Sequence, residues 1–390
     1  MKITGVTIYD CDYAPAARAG WQAPIVVRID TDEGLYGAGE VGLAYGTGGK
    51  AGAAMVATLA ERFLIGCDPM RIEAVWDMFF RKTFWGQAGG PVVYGAMSAI
   101  DEALWDIKGK ALGVPVWQLL GGRMWDDIRL YANGWSKGLN SPEEHAEAAR
   151  KVVADGYGAM KLDPFATRGD GVWDYPRRHI DRETGMLAVR RIEAVRDAVG
   201  PDVDILVEVH GNLGVTDAIT YGRLLEPTRP FFYEEPVDPM NPACMKKVSE
   251  HVRIPIAAGE RLYTRYQFRP YLEALALDIL QPDLGLCGGI TEVRKVASMA
   301  EAYDLHFQPH NCGGPIATAA CVQIDFSSPN FIIQEWFPYW PDGRYDIVEE
   351  HYEHTQKDGR FAAPTRPGLG VTLNDDYLAR FEKIEIGGGR

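Results

Sequence analysis

Three glutamates, Glu208, Glu234 and Glu260, recur at intervals of 26 residues, and each closes a short apolar run: DILVE, FFYE and PIAAGE. A lone charged residue at a strand end is ordinarily a solvated rim residue. Three on neighbouring strands would repel one another unless positive charge stood between them, and a divalent cation is the obvious remedy. All-oxygen donors select a hard ion, and a six-coordinate site with three protein carboxylates keeps positions for water and substrate, which points to Mg2+. Two histidines flank the set. His210 follows Glu208 by two residues, so an extended chain carries both side chains on one side. His310 ends a later apolar run, and Asp283 ends the run before it, where a carboxylate can bond the imidazole and raise its basicity. A general base facing a second proton carrier across a polarising cation is an arrangement for moving protons on a substrate. The bland alternative is a pair of buried histidines satisfied by their neighbours.

These residues sit on a repeating pattern. Beyond Gly121-Gly122, short apolar strands alternate with helical segments: IRLYANGW, AMKLDPF, DILVEVHGNLG, FFYEEPV, PIAAGER, DILQPDLGLCGG, LHFQPHNCGG and FIIQEW. Their polar end residues are Asn133, Lys161, Glu208, Glu234, Glu260, Asp283, His310 and Glu335, separated by 28, 47, 26, 26, 23, 27 and 25 residues. All but one gap fit a strand, a helix and two loops; the long one holds an insertion, ATRGDGVWDYPRRHIDRE. Ser141-Pro142-Glu143-Glu144 predicts a helix start with an N-cap serine, a proline at the first position and a glutamate closing a capping box. Eight strand-helix units predict a closed (β/α)8 barrel of the TIM type, whose chemistry collects at the C-terminal rim; an open doubly wound sheet is the alternative. Upstream, ITGVTIYDCDY and PIVVRIDTDEGLYGAGE read as strands turning at Asp32-Glu33-Gly34. Val93, Ala96, Met97, Ile100, Ala103, Leu104 and Ile107 then keep a helical period that stops near Gly113-Val114-Pro115. The chain is thus an α/β protein with an α+β capping domain over 1–125, a barrel over 126–363 and a C-terminal segment, 364–390, that returns to the cap.

Composition narrows the function. At 390 residues, with 46% apolar and 24% charged side chains, the chain is long and apolar enough for a large core, which excludes disorder. A net charge of −14 has the wrong sign for nucleic acid or an anionic membrane surface. The opening MKITGVTIYDCDYAPAA lacks the continuous apolar stretch of a targeting segment, and no run is long enough to span a bilayer. Six cysteines without a CxxC pair read as reduced thiols, so a cytoplasmic protein is expected. Gly37-Ala38-Gly39-Glu40-Val41-Gly42 matches a dinucleotide fingerprint, but no helix opens after it to receive a pyrophosphate. The stretch ending Gly49-Lys50 lacks the first glycine and the hydroxyl of a P-loop. His306 and His310 have zinc-helix spacing, but Pro309 stands between them. His145, His179, His251, His351 and His354 lie among polar neighbours and are expected at the surface.

The motifs AIDEALWDIKGKALGVPVWQLLGG, VEVHGN, FFYEEPV, PIAAGER, ILQPDLGLCGGITE, AEAYDLHFQPH and PGLGV resemble, in order and over nearly the whole chain, the enolase superfamily. The resemblance is to its mandelate racemase subgroup and, within that, to the acid-sugar dehydratases of the galactonate type. It implies Glu208, Glu234 and Glu260 as Mg2+ ligands, the His310–Asp283 dyad as base, and Glu335 as an acid that helps stabilise the enolate. Racemases of the subgroup carry a Lys-x-Lys pair on the second barrel strand; here the sequence is Lys161-Leu162-Asp163, so a second base on that face is missing. Lys161 and Asp163 remain on the substrate-binding side. His210 resembles the histidine that serves dehydratases as acid for the departing hydroxyl. The implied reaction is Mg-dependent dehydration of a sugar acid, an aldonate such as galactonate or gluconate, to a 2-keto-3-deoxy acid. A sugar-acid epimerase or cycloisomerase on the same scaffold is the first alternative, and a non-catalytic sugar-acid-binding protein the second. Cap segments Tyr13 to Trp21 and Leu43 to Gly52, with the insertion after Phe165, are expected to set specificity through Arg18, Trp21, Tyr45, Lys50, Arg168, Trp173 and Tyr175. The family's habit implies a homo-oligomer.

Overall fold

A computed structural model describes residues 1–11, 24–44, 47–168, 176–340 and 345–387. Three N-terminal strands, β1 (Ile3–Asp10), β2 (Ile25–Thr31) and β3 (Tyr36–Val41), form an antiparallel meander. The β2–β3 turn uses Gly34 at φ 78°, as the sequence predicts. Helices α1 (Gly49–Leu59), α2 (Ile72–Lys82) and α3 (Pro91–Leu112) follow, and α3 ends at Gly113 in the left-handed conformation.

The false dinucleotide fingerprint has a packing cause. A Cβ on Gly39 would lie 1.9 Å from the Ala99 carbonyl oxygen, and one on Gly37 2.0 Å from that of Ala103. Glycine at these positions lets α3 press onto β3. A buried polar stripe on α3 then docks the cap to the rest of the chain. Glu102 accepts from the Glu40 amide (2.9 Å) and Asp106 from those of Ala38 (3.0 Å) and Leu369 (2.8 Å). Asp101 accepts from Thr291 (2.9 Å) and Ser98 from Gly288 (2.9 Å). Buried carboxylates are tolerated where amides satisfy them.

After the short helix α4 (Val116–Leu119) come the barrel elements β4 (Asp127–Ala132), α5 (Pro142–Ala154), β5 (Ala159–Leu162), α6 (Arg182–Val199), β6 (Asp204–Glu208), α7 (Val215–Leu225), β7 (Phe232–Glu234), α8 (Pro242–Ser249), β8 (Ile256–Ala258), α9 (Thr264–Ala274), β9 (Ile279–Leu280), α10 (Gly289–Glu301), β10 (His306–Phe307), α11 (Pro315–Ser327) and β11 (Gln334–Trp336). The strands pair in parallel from β4 through β10, and β11 pairs with β4. A Phe307–Phe331 bridge joins the last gap and closes the ring. The predicted capping box of α5, Ser141 with Glu144, is present.

The eighth repeat differs from expectation. Among the described residues β11 is followed by a 3-10 turn at Tyr352–Thr355 and by β12 (Arg360–Ala362), antiparallel to β4, rather than by a barrel helix. After α12 (Asp375–Leu378), β13 (Glu382–Gly387) pairs with β1, so the tail completes the cap sheet.

Side-chain alternation places the chemistry. Tyr131, Ala159, Leu206, Phe232 and Ile333 fill the barrel interior as one apolar layer. Two residues further along the same strands stand Asn133, Lys161, Glu208, Glu234 and Glu335, on the next level toward the C-terminal rim. No helix among the described residues is long and apolar enough to cross a membrane.

Candidate active site

The rim gathers the predicted residues around a buried lysine. Lys161 Nζ donates to Glu208 Oε2 (3.1 Å) and to both oxygens of Glu234 (2.9 Å each), and lies 3.0 Å from Glu335 Oε1. Burial opposes its charge, yet the carboxylates of Glu234 and Glu335 outweigh that and raise its pKa. Glu335 is fixed from two further sides, by Asn133 Nδ2 (2.8 Å) and by the Asn311 amide (2.8 Å).

Glu260 lies just past β8, after Gly259, whose φ of 152° and contact with the Gln281 backbone leave no room for a Cβ. Its Oε2 is 3.0 Å from His310 Nε2. The other ring nitrogen, His310 Nδ1, is 2.6 Å from Asp283 Oδ2, so the predicted dyad is in place. Burial works against a charge on His310, but Cys312, Glu260 and Glu335 outweigh it and push the imidazole well above its ordinary value.

His210 arrives by a route the sequence did not show. It falls outside β6, in the left-handed region at φ 52°, held there by its own amide donating to Glu208 Oε1 (2.7 Å). Its Nδ1 is 2.6 Å from Asp163 Oδ2. Burial opposes the charge on His210, while Glu208 and Asp163 overcome it and raise the imidazole to about 10. A group with that value is a proton donor at neutral pH. Asp163, expected on the substrate side, has both oxygens engaged, since the Phe165 amide donates to Oδ1 (2.9 Å). It is the partner of His210.

The three glutamates therefore line adjacent strand ends, with Glu208 and Glu234 turned to Lys161 and Glu260 turned to His310. Glu208 is depressed to about 2: burial would raise it, but His210 and Lys161 hold it down. Glu234 is raised well above the carboxylate range by burial and by Glu208. Among the described residues, Asp163, Glu208, Glu234, Glu235, Glu260, Asp283 and Glu335 together face Lys161, Arg261 and the two imidazoles as carriers of positive charge. Such an excess of buried carboxyl groups is costly unless cationic charge is added. The donor set, oxygen only and over-supplied with negative charge, suits a hard dication by its chemistry, but the three glutamates do not converge as one cluster, because Lys161 draws Glu208 and Glu234 and His310 draws Glu260.

Lys50 is exposed and faces Asp10 (3.7 Å), and Arg168 is exposed. Arg18, Trp21, Tyr45, Trp173 and Tyr175 lie outside the described residues. Two histidines expected at the surface are not there. His145 is 3% exposed, with Nδ1 at 2.8 Å from the Ser141 carbonyl and its ring against Trp135, because the acidic neighbours on α5 occupy the opposite face. His351 stacks on Tyr345. Sequence reasoning also missed Glu235, a buried partner of Arg261 that burial and Glu260 push up to about 7. The doubled acid of FFYEEPV was its only trace.

Residues 144–377 match the family described as enolase C-terminal domain-like, and residues 16–121 match the mandelate racemase/muconate lactonizing enzyme N-terminal domain. The chain belongs to the enolase superfamily. Among solved structures it resembles a member of the enolase superfamily from Salmonella Typhimurium at 44% identity, covering 99% of each chain with a TM-score of 0.94. It is 41% identical to a provisionally named dehydratase from Mesorhizobium loti, over 99% of this chain and 100% of that one, TM-score 0.93. A mandelate racemase/muconate lactonizing enzyme from Jannaschia sp. CCS1 is 34% identical over 100% and 99% of the two chains, TM-score 0.88. Enolase superfamily sites combine a lysine or histidine base with Mg2+, and the carboxyl-rich rim suits that pairing.

Proposed function

We propose that this enolase superfamily chain is a Mg-dependent hydro-lyase that removes water from a sugar acid, an aldonate such as galactonate or gluconate, to give a 2-keto-3-deoxy acid. The observation that carries the reading is the pair of histidine-aspartate dyads, His310–Asp283 and His210–Asp163, on either side of the glutamate row. The name of the Mesorhizobium loti relative supports it.

In each dyad the aspartate accepts a hydrogen bond from Nδ1–H, which leaves Nε2 for the substrate. A Mg2+ held by Glu208, Glu234 and Glu260 would supply positive charge beside the substrate carboxylate, without which a proton α to a carboxylate is too weakly acidic to remove. With that charge beside Glu260, the pull that keeps His310 protonated would lessen, and Nε2 would be free to accept. His310 Nε2 takes the C2 proton. Lys161 and Glu335 flank the side where the substrate carboxylate gathers negative charge. The C3–O bond then breaks as His210 Nε2 gives its proton to the hydroxyl, which leaves as water, and the C2–C3 enol tautomerises to the ketoacid. Asp163 keeps His210 cationic until that moment.

An epimerase shares the first half of this sequence. It needs a second base on the opposite face, where this chain has Asp163, already committed to His210. A panel of aldonic and aldaric acids, assayed with Mg2+ and with a chelator, tests the proposal. Ketoacid is expected from at least one aldonate, only with the metal, and proton NMR in heavy water should show a 3-deoxy product. A deuterated stereoisomer without ketoacid would replace dehydration by epimerisation.

A further inference from the structure

We propose that Asp283, His310 and Cys312 form a second, softer metal site, and that Zn2+ bound there switches off the base. Ligand atoms of the three side chains all lie within 4.8 Å of one another, and no other such group occurs among the described residues. Asp283 is buried, His310 is 8% exposed and Cys312 is partly exposed.

The cluster is built rather than incidental. Cys312 lies in a loop fixed on both sides: Asn311 Nδ2 donates to Thr318 Oγ1 (3.0 Å), Asn311 Oδ1 accepts from the Gly313 amide (3.3 Å), and the Gly314 amide is held by Glu40 from the cap. On the other side the chain after Asp283 is tied to the cap through Gly42, whose amide donates to the Gly285 carbonyl (3.1 Å). Ligands already held near their bound positions lose little entropy on binding.

Donor chemistry separates this site from the glutamate row. Thiolate, imidazole and one carboxylate are the set preferred by Zn2+, whereas Mg2+ prefers oxygen donors and keeps its water. Zinc bonds of about 2.0–2.3 Å put neighbouring ligands roughly 3.3–3.8 Å apart, so the 2.6 Å His310–Asp283 hydrogen bond must open by about 1 Å, a side-chain adjustment. Binding forms Zn–S, Zn–N and Zn–O bonds and releases the thiol proton to solvent, with an imidazolium proton as well when His310 starts protonated, and no change of oxidation state. An imidazole that gives one nitrogen to zinc carries a proton on the other. His310 then has no lone pair for the C2 proton, whichever nitrogen binds.

The inhibitory consequence rests on His310 being the base; the binding site does not. The test titrates the Mg-saturated protein with Zn2+ while following activity, and with Co2+ while following thiolate-to-cobalt charge-transfer absorption. One equivalent per chain is expected, with the cobalt band present in wild type and in the control Cys244→Ser but absent from Cys312→Ser and Cys312→Ala. Half-inhibition by Zn2+ should need at least about tenfold more metal in Cys312→Ser, since losing even an outer-shell partner costs that much. A wild type without the band, a band that survives in both Cys312 variants, or inhibition relieved in proportion to added Mg2+ would overturn the site. A Cys312-dependent band with undiminished activity would keep the site and overturn His310 as base, so the two readings fail separately.

Discussion

His310→Asn is expected to lower turnover by about 10³-fold or more and to abolish hydrogen exchange at C2, because one positioned acid-base group contributes roughly 10²–10⁴-fold and no second base stands on that face. Asparagine keeps the approximate volume and can still donate an amide proton to Asp283, so the loop from Asp283 to Gly289 keeps its attachments to Gly42, Ser98 and Trp76. The loss is therefore chemical rather than structural. Unchanged circular dichroism and melting temperature beside the lost exchange would check this. A variant that still exchanges C2 hydrogen would transfer the base role to another group.

Glu234→Gln carries the second large effect. Burial and Glu208 already disfavour a charge on Glu234, so glutamine relieves repulsion, and Lys161 retains Glu208 and Glu335 as partners. The metal-free variant stays folded. What it should lose is the cation: removing one of the three proposed carboxylate ligands should weaken Mg2+ binding by at least about 10-fold to 100-fold, the cost of losing an outer-shell partner alone. A metal at one hundred times its dissociation constant stabilises the fold by about 2.7 kcal/mol, and a tenfold weaker site at the same concentration by only about 1.4 kcal/mol. Thermal unfolding with and without Mg2+ reads the difference directly. Equal Mg-induced stabilisation in wild type and variant would remove Glu234 from the ligand set.

The glutamate row and the His310–Asp283 dyad were legible in the sequence because strand alternation has a strict period. Glu208, Glu234 and Glu335 stand two residues beyond the interior layer of Leu206, Phe232 and Ile333, and a spacing of 26 residues is one strand-helix unit. The His210–Asp163 pair was not legible as a pair. Both residues lie past their strands, and His210 turns left-handed, a conformation that no local sequence pattern announces for histidine. An eighth barrel helix is absent among the described residues, where β12 stands instead, a long-range pairing with β4 that the local sequence does not announce. His145 was misplaced because its neighbours in sequence are acidic while its neighbours in space are Trp135 and the Ser141 carbonyl. The polar stripe of α3 escaped because its apolar positions already explained the helix. Only the fold shows that Ser98, Asp101, Glu102 and Asp106 reach amides on three other segments.

In the proposed reaction two imidazoles divide one elimination between them, one taking a proton from carbon and the other giving a proton to oxygen. His210→Asn in deuterium oxide tests it most directly, with C2 deuterium uptake and ketoacid release followed on the same sample. Uptake is expected to continue while ketoacid release falls by about 10²–10⁴-fold. Ketoacid release near the wild-type rate, or loss of both signals together in a folded, Mg-binding variant, would contradict it.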